Sequence, residues 1–260
     1  MSTVDYGATV GEPTLALENG IATIRLNRPE VHNRIEPDDL VALHGILERI
    51  DAESSVRVAV VTASGRSFSS GFHIGKLNAS GAQDDSSFGR LADRLEALRV
   101  PTICALNGGV YGGSTDLALA CDFRIGVTGM AMFMPAARLG LHYYPSGLQR
   151  YVSRLGLNAA KRLFLTAEKL QAEELLRIGF LTDLVAPEEL EGRVAALAAT
   201  LAANAPLAVQ GMKQALNDIA RGDADLAAIA ETATRVRNSE DLQEGRAAWL
   251  EKRTPLFMGR

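Results

Sequence analysis

Aromatic side chains are scarce in this 260-residue chain, at 5% of positions, and there are two cysteines. Cys104 and Cys121 lie in apolar runs and are too few for the disulfide scaffold of a secreted domain, so they read as buried thiols in a reducing cytoplasm. Neither charge sign dominates: 27 Lys and Arg against 31 Asp and Glu give a formal charge of −4. That balance supplies no whole-chain basic surface for nucleic acid phosphates, and no nucleic-acid partner is expected. No apolar run approaches bilayer length; the most apolar stretch, Val194 to Ala203, is about half of what a spanning helix needs, so no membrane partner is expected either. The opening MSTVDYGATV has no Lys or Arg and leads into no long apolar run, which predicts neither a signal peptide nor a transit peptide. The four histidines (His32, His44, His73 and His142) are scattered without zinc-ligand spacing, and no metal is expected. Hydrophobic residues at 47% exclude disorder. These absences leave a cytoplasmic globular protein of one large domain, with or without an appendage.

Glycine and alanine are plentiful, and their placement is informative. Asn19-Gly20 between Thr14–Glu18 and Ile21–Leu26 is a hairpin signal. Pro37 near a helix start, with Leu40, Leu43, Ile46, Leu47 and Ile50 at helical spacing, predicts the first helix. Short β-branched or apolar runs at 57–62, 102–106 and 123–127 predict buried strands, with helices at about 88–99 and 113–120 between them. This alternation is that of an α/β protein. Beyond Pro145 helical patterns cover roughly 146–155, 158–165, 171–178, 187–203, 206–221 and 223–237, with one short strand near 181–185. The expected organisation is an α/β core over residues 1–200 and a helical C-terminal region over residues 201–260.

Two glycine-rich segments carry the chemistry. Ser64 to Ile74 (SGRSFSSGFHI) and Asn107 to Asp116 (NGGVYGGSTD) each follow a buried strand, and the second opens a helix. Open α/β sheets place ligands at the carboxyl ends of strands, so both loops are expected on one edge. Glycine lets backbone N–H groups approach a ligand closely, and free N–H groups at a helix start favour negative charge. Either loop alone is also what a tight turn requires. Phosphate cradling is disfavoured: Gly71 to Lys76 (GFHIGK) has three residues between its glycines where a P-loop has four, and Leu77 replaces Ser or Thr. No G-x-G-x-x-G fingerprint with a following acid and no G-x-S-x-G elbow is present.

The two loops, together with Arg28-Pro29-Glu30-Val31-His32-Asn33, resemble the crotonase (enoyl-CoA hydratase/isomerase) superfamily. The likeness continues through Pro135, Leu139-Gly140, Gln149-Arg150, Leu155-Gly156, Gly179-Phe180-Leu181 and the stretch from Ser239 to Phe257, nearly the whole chain. The resemblance implies a ββα spiral core with a C-terminal helical trimerisation region, and a homotrimer or a hexamer built as a dimer of trimers. It implies an acyl-CoA substrate with no separate cofactor, coenzyme A being part of the substrate. By motif, the N–H groups of Phe72 and Gly113 would form an oxyanion hole for the thioester carbonyl. Fixed donors at a developing oxyanion are worth on the order of 3 kcal/mol each. Coenzyme A contacts would fall on Arg28, Val31, Ser70, Phe72, His73 and Ile74, and further substrate contacts on Gly109, Gly112, Pro135, Ala136, Leu139, Gly140 and Tyr144.

The departures from the family pattern bear on the reaction. Hydratases of the family use two glutamates, at the positions of Asp116 and Ala136; here the first is shortened and the second is missing. Two carboxylates allow one to handle water while the other supplies the α-carbon proton, and that pair cannot form. Asp116 is expected as the acid/base, or else as a helix-start acid. Leu141 to Pro145 is either aromatic packing or the source of a proton donor or carboxylate anchor in Tyr143 or His142. The methylmalonyl-CoA decarboxylase branch also lacks the second glutamate and has a tyrosine matching Tyr143. That branch carries a histidine at the position of Phe72, whereas this chain has His73 one residue later. His73 reads as a capping polar residue or as a titrating group near the reaction centre. Asn33 is expected to brace the loops. The reading is therefore an enzyme of the enoyl-CoA hydratase/isomerase type that stabilises a thioester enolate. The alternatives are a methylmalonyl- or malonyl-type CoA decarboxylase using Tyr143, and a non-catalytic acyl-CoA-binding homologue.

Overall fold

The computed structural model describes residues 11–76 and 82–260, so the N-terminal segment read for a leader lies outside the described residues. Asn19 and Gly20 both take positive φ, 50° and 77°, the pairing that a tight two-residue hairpin turn demands. They join β1 (Thr14–Glu18) to β2 (Ile21–Leu26) in antiparallel register. Helix α1 (Pro37–Ala52) starts on Pro37, and Asp39 accepts the Glu36 N–H at 2.9 Å across its first turn. All five of its helically spaced aliphatics are buried. At about 1.5–3 kcal/mol per buried side chain, that face outweighs the tenths of a kcal/mol separating helix propensities.

From β3 onward the chain repeats one unit: a strand in a large sheet, a short strand in a small sheet, then a helix. The first turn is β3 (Val58–Ala63), β4 (Ser67–Ser69) and α2 (Ala82–Glu96). The second is β5 (Thr102–Leu106), β6 (Gly109–Tyr111) and α3 (Ser114–Ala120). The third is β7 (Phe123–Val127), β8 (Ala131–Phe133), a 3₁₀ turn at Ala136–Leu139 and α4 (Pro145–Leu155). This is the ββα spiral. After α5 (Leu157–Thr166) come β9 (Lys169–Gln171), α6 (Ala172–Arg177) and β10 (Asp183–Val185). The large sheet then runs β1-β2-β3-β5-β7-β10 and the small one β4-β6-β8-β9.

Apart from the β1 and β9 pairings, neighbours in both sheets are parallel. β3 and β5 are almost entirely buried, as strands covered on both faces should be. Cys104 and Cys121 are free and fully buried in this core. The alanine-rich stretch at 194–203 belongs to α7 (Leu190–Ala203), which packs across β3, β5 and β7. Among the described residues no single helix is long and apolar enough to cross a membrane.

The three C-terminal helices, α8 (Pro206–Arg221), α9 (Leu226–Arg237) and α10 (Glu240–Glu251), bury few of their own residues. Met212, Leu216, Ile219, Leu226, Trp249 and Leu250 are all exposed, Trp249 at 85%. Segments 64–74 and 107–116, expected as glycine-rich loops, each contain a strand of the small sheet. Three residues are too few to show a hydrophobic period, so β4, β6, β8 and β9 are defined by their pairing partners rather than by local pattern.

Candidate active site

The small sheet, rather than the large one, delivers the two glycine loops to one place. β4, β6 and β8 are parallel neighbours, so their carboxyl ends share an edge. Ser70–Phe72, Gly112–Gly113 and Met134–Ala136 emerge there and line one cavity of about 340 Å³. Asn33 braces this edge: its amide donates to the carbonyls of Ser64 (2.7 Å) and Ser67 (2.9 Å), and its oxygen accepts the Arg28 N–H at 2.9 Å. Ser69 Oγ donates to the Asn33 carbonyl, meets Ser114 Oγ at 2.7 Å and accepts the Gly71 N–H.

Among the described residues, two backbone N–H groups at the cavity have no carbonyl acceptor. Ile35 donates to the Gly71 carbonyl (2.9 Å) and accepts from the His73 N–H (3.0 Å). In such a parallel bridge the N–H of the intervening Phe72 turns to the opposite side. The Gly112 N–H is taken by the Phe133 carbonyl, whereas the next N–H, that of Gly113, precedes α3 and has no carbonyl acceptor among the described residues. Gly71 brings the two loops together. It sits at φ +92°, and a Cβ there would come within 2.8 Å of the Tyr111 carbonyl and 3.4 Å of the Gly113 nitrogen. A side chain at 71 would thus fail both on conformation and on space.

The rest of the wall is aromatic and aliphatic: Phe72, Phe88, Tyr111, Phe133, Met134 and Leu139, with Ile74, Pro135, Ala136, Leu141, His142, Tyr143 and Tyr144 completing it. Phe72 and Phe88 meet edge to face, and Tyr143 stacks on Tyr144 with ring centroids 4.3 Å apart. Tyr144 fills a slot between two glycines. Cβ atoms at Gly89 of α2 or Gly147 of α4 would press on its ring. His142 is exposed, and its Nδ1 meets the Tyr143 carbonyl at 2.8 Å.

Asp116 is wholly buried one turn into α3 and does not line the cavity. Its Oδ2 accepts from Arg150 Nη1 and from the Tyr144 hydroxyl, each at 2.5 Å, while Oδ1 is buried without a partner among the described residues. Arg150 is shared further, with Glu96 (3.1 Å) and Asp93 (2.7 Å), and Glu96 also pairs with Arg154 and Arg221. Burial pushes the Asp116 carboxyl above the usual aspartate value, against the pull of Arg150 and the Tyr144 hydrogen bond. Burial, reinforced by the neighbouring Asp116 charge, also holds the Tyr144 phenol well above its ordinary value. Tyr143 is raised for the same reason, with Tyr144 as its nearest influence. Both phenols are therefore neutral at pH 7.

Of the residues expected at the site, Phe72, Gly113, Ser70, Ile74, Gly112, Pro135, Ala136, Leu139, His142, Tyr143 and Tyr144 line the cavity. Arg28 instead forms a two-pronged pair with Asp39, and His73 is tied to Glu36 at 2.7 Å. Val31 stands outside the cavity wall on the 3₁₀ turn at Pro29–Val31, its carbonyl accepting from Ser70 Oγ. Gly109 lies within β6, and Gly140 ends the 3₁₀ turn in the left-handed region. Phe88, Tyr111, Phe133 and Met134 are lining residues that sequence reasoning missed. So is the role of Arg150, although Gln149-Arg150 stood out as a family motif. No group of three His, Cys, Asp or Glu suited to a metal is found among the described residues.

The model of the enoyl-CoA hydratase/isomerase family matches residues 16–260. The chain belongs to this family. It is 32% identical over 246 residues to the short-chain-enoyl-CoA hydratase of Clostridium acetobutylicum, covering 92% of this chain and 94% of that one. To the 2,3-dehydroadipyl-CoA hydratase of Escherichia coli it is 31% identical, covering 96% of this chain and 100% of the relative. Among solved structures it is similar to DspI of Pseudomonas aeruginosa, at 30% identity with a TM-score of 0.90, covering 97% and 99% of the two chains. An enoyl-CoA hydratase/carnithine racemase of Magnetospirillum magneticum superposes at 0.91 with 26% identity, covering 98% and 97%. As a member of the enoyl-CoA hydratase/isomerase family, the chain carries a ββα spiral followed by a helical C-terminal region. Ala136, where the resemblance implies that a second glutamate is missing, lines the cavity.

Proposed function

We propose that this protein binds an acyl-CoA thioester in the cavity, holds its carbonyl between the N–H groups of Phe72 and Gly113, and moves a proton at the α-carbon of the resulting enolate. One observation carries this reading: Phe72 and Gly113, whose N–H groups have no carbonyl acceptor among the described residues, line one cavity in which no described lining group is a carboxylate. Preorganised donors stabilise charge that appears only as the enolate forms. The phenols of Tyr111, Tyr143 and Tyr144 and the imidazole of His142 supply the titratable groups of the wall. Such a site suits proton shifts within an enoyl thioester better than addition of water, which draws on two carboxylates. The nucleotide of coenzyme A would lie outside the cavity, toward Arg28 and Val31.

The same wall favours a second reading, decarboxylation of a malonyl-type CoA. A substrate carboxylate meets no like charge there, and Tyr143 can donate to it. Loss of carbon dioxide leaves the enolate in the oxyanion hole, and a phenol returns a proton to the α-carbon. A mass-spectrometric assay with but-3-enoyl-CoA, crotonyl-CoA, malonyl-CoA and methylmalonyl-CoA separates the cases. Conversion of but-3-enoyl-CoA to crotonyl-CoA is the expected result. Carbon dioxide loss from the malonyl thioesters identifies the decarboxylase, and tight binding without any turnover identifies a non-catalytic homologue. The exposed apolar residues of α8, α10 and the start of α9 support a further part of the proposal, assembly into a homotrimer or a dimer of trimers.

A further inference from the structure

We propose that Tyr144 is the group that takes the proton from the substrate's α-carbon, and that Asp116 is a proton store that works through the Tyr144 hydroxyl. This rests on the enolate reading above and assigns the acid/base role within it. The ring of Tyr144 lines the cavity while its hydroxyl donates to Asp116 Oδ2 at 2.5 Å. Asp116 is 0% exposed and lines no part of the cavity wall, so the described path from carboxylate to substrate passes through that phenol. The Tyr144 proton is committed to Asp116; in the 3.2 Å contact between the two hydroxyls Tyr143 is then the donor. A hydroxyl oxygen that donates one hydrogen and accepts another keeps a further lone pair, which in this proposal receives the substrate's α-proton.

The step balances. As the α-carbon C–H bond breaks, its electron pair passes into the enolate, whose oxygen lies at the Phe72 and Gly113 N–H groups. The proton adds to Tyr144 Oη, and the phenol's own proton crosses to Asp116 Oδ2. The carboxylate becomes a carboxylic acid while the enolate takes its negative charge, so net charge is unchanged. Arg150 is not left unpaired, because Glu96 and Asp93 still face it. The return runs the same path backward, to the α- or the γ-carbon. Burial already raises Asp116, which makes its protonated state accessible.

The test is α-proton exchange of butyryl-CoA in D₂O, followed by mass spectrometry on the full-length protein, with butyryl-CoA affinity measured by calorimetry. Tyr144→Phe keeps the ring in its slot between Gly89 and Gly147 and removes only the hydroxyl. It is expected to lower exchange by about 100-fold or more with affinity held within about threefold. Asp116→Asn is expected to fall by a similar factor, and the double variant no further, since a relay broken twice is broken once. The pH profile supplies a readout that a purely structural role would not move. Asp116 is faced by Arg150 of α4, Glu96 of α2 and the phenols of Tyr143, Tyr144 and Tyr151. Wild-type exchange should decline on acidification as Asp116 fills with a proton, and the residual rate of Tyr144→Phe should lack that limb. Exchange surviving in Tyr144→Phe within about threefold of wild type overturns the relay and leaves the enolate reading standing. Binding without exchange in the wild type overturns both.

Discussion

Gly71 shows how one residue sets the chemistry of its neighbour. At φ +92° and without a Cβ, it lets the first loop touch the backbone of the second, beside the Phe72 N–H proposed as an oxyanion donor. Gly71→Ala should destabilise the fold by about 1–3 kcal/mol through strain at positive φ. It should also lower kcat on whichever thioester is turned over by about 100-fold, the usual value of one oxyanion donor. Denaturant titration and steady-state kinetics measure the two effects separately. Ala136 tests the opposite proposition, that a missing side chain limits the reaction. Ala136 lines the cavity at the start of a 3₁₀ turn, so Ala136→Glu places in the wall the second carboxylate that the proposed function takes to be missing. Crotonyl-CoA hydration, followed by loss of enoyl absorbance, should rise by about tenfold or more.

At the scale of elements, α2, α3 and α4 are tied by a buried ion cluster directly behind the cavity. Arg150 on α4 reaches Asp116 on α3 and both Asp93 and Glu96 on α2, with its own side chain 2% exposed. Replacing it with Met leaves two buried carboxylates without their main counter-charge. A loss of about 3–5 kcal/mol is expected in urea unfolding, the penalty for breaking rather than replacing a buried pair. Glu96 gives the cluster a pH signature. Burial pushes its carboxyl up, but Arg150, Arg154 and Arg221 outweigh burial and hold it below the usual value of 4.5. A depressed folded-state pKa means stability that is present above pH 4.5 and lost as pH falls through the folded value. Glu96→Gln should therefore be less stable than wild type at pH 7, with the gap narrowing below pH 4.5 in thermal melts.

This scale also explains what was legible in the sequence. Helices such as α1 and buried strands such as β3 and β5 announce themselves by period and composition. The small sheet does not, because Ser67–Ser69 and Gly109–Tyr111 acquire strand geometry only from each other. The glycine loops and Tyr143-Tyr144 were legible as site features because their residue types are unusual where they occur. Tyr111 and Phe133 were not, since they end three-residue strands whose facing cannot be read locally. The link from Asp116 to Arg150 spans 34 residues and exists only once α3 and α4 pack.

For the whole molecule, the scarcity of aromatic residues gives their positions weight. Phe72, Phe88, Tyr111, Phe133, Tyr143 and Tyr144 gather at one cavity. Trp249, the single tryptophan, is instead 85% exposed on α10 beside Leu250 at 82%. Met212, Leu216 and Ile219 recur at spacings of four and three along α8 and are each more than half exposed, which makes a stripe on one helix face. Exposed apolar side chains on such helices mark candidate interaction surfaces, and the network from Asp116 through Arg150 and Glu96 reaches Arg221 of the same α8. If these helices form the contacts of a closed ring, a charge placed among them should open it. Trp249→Glu combined with Leu250→Glu should shift the mass measured by light scattering from that of a trimer or hexamer toward about 28 kDa, the 27.7 kDa of one chain. An unshifted mass would place the subunit contacts elsewhere. Because Glu96 braces both Arg221 and Arg150, the opened form should also lose thermal stability at pH 7, and the loss should shrink in the Glu96→Gln background if the two effects share that network.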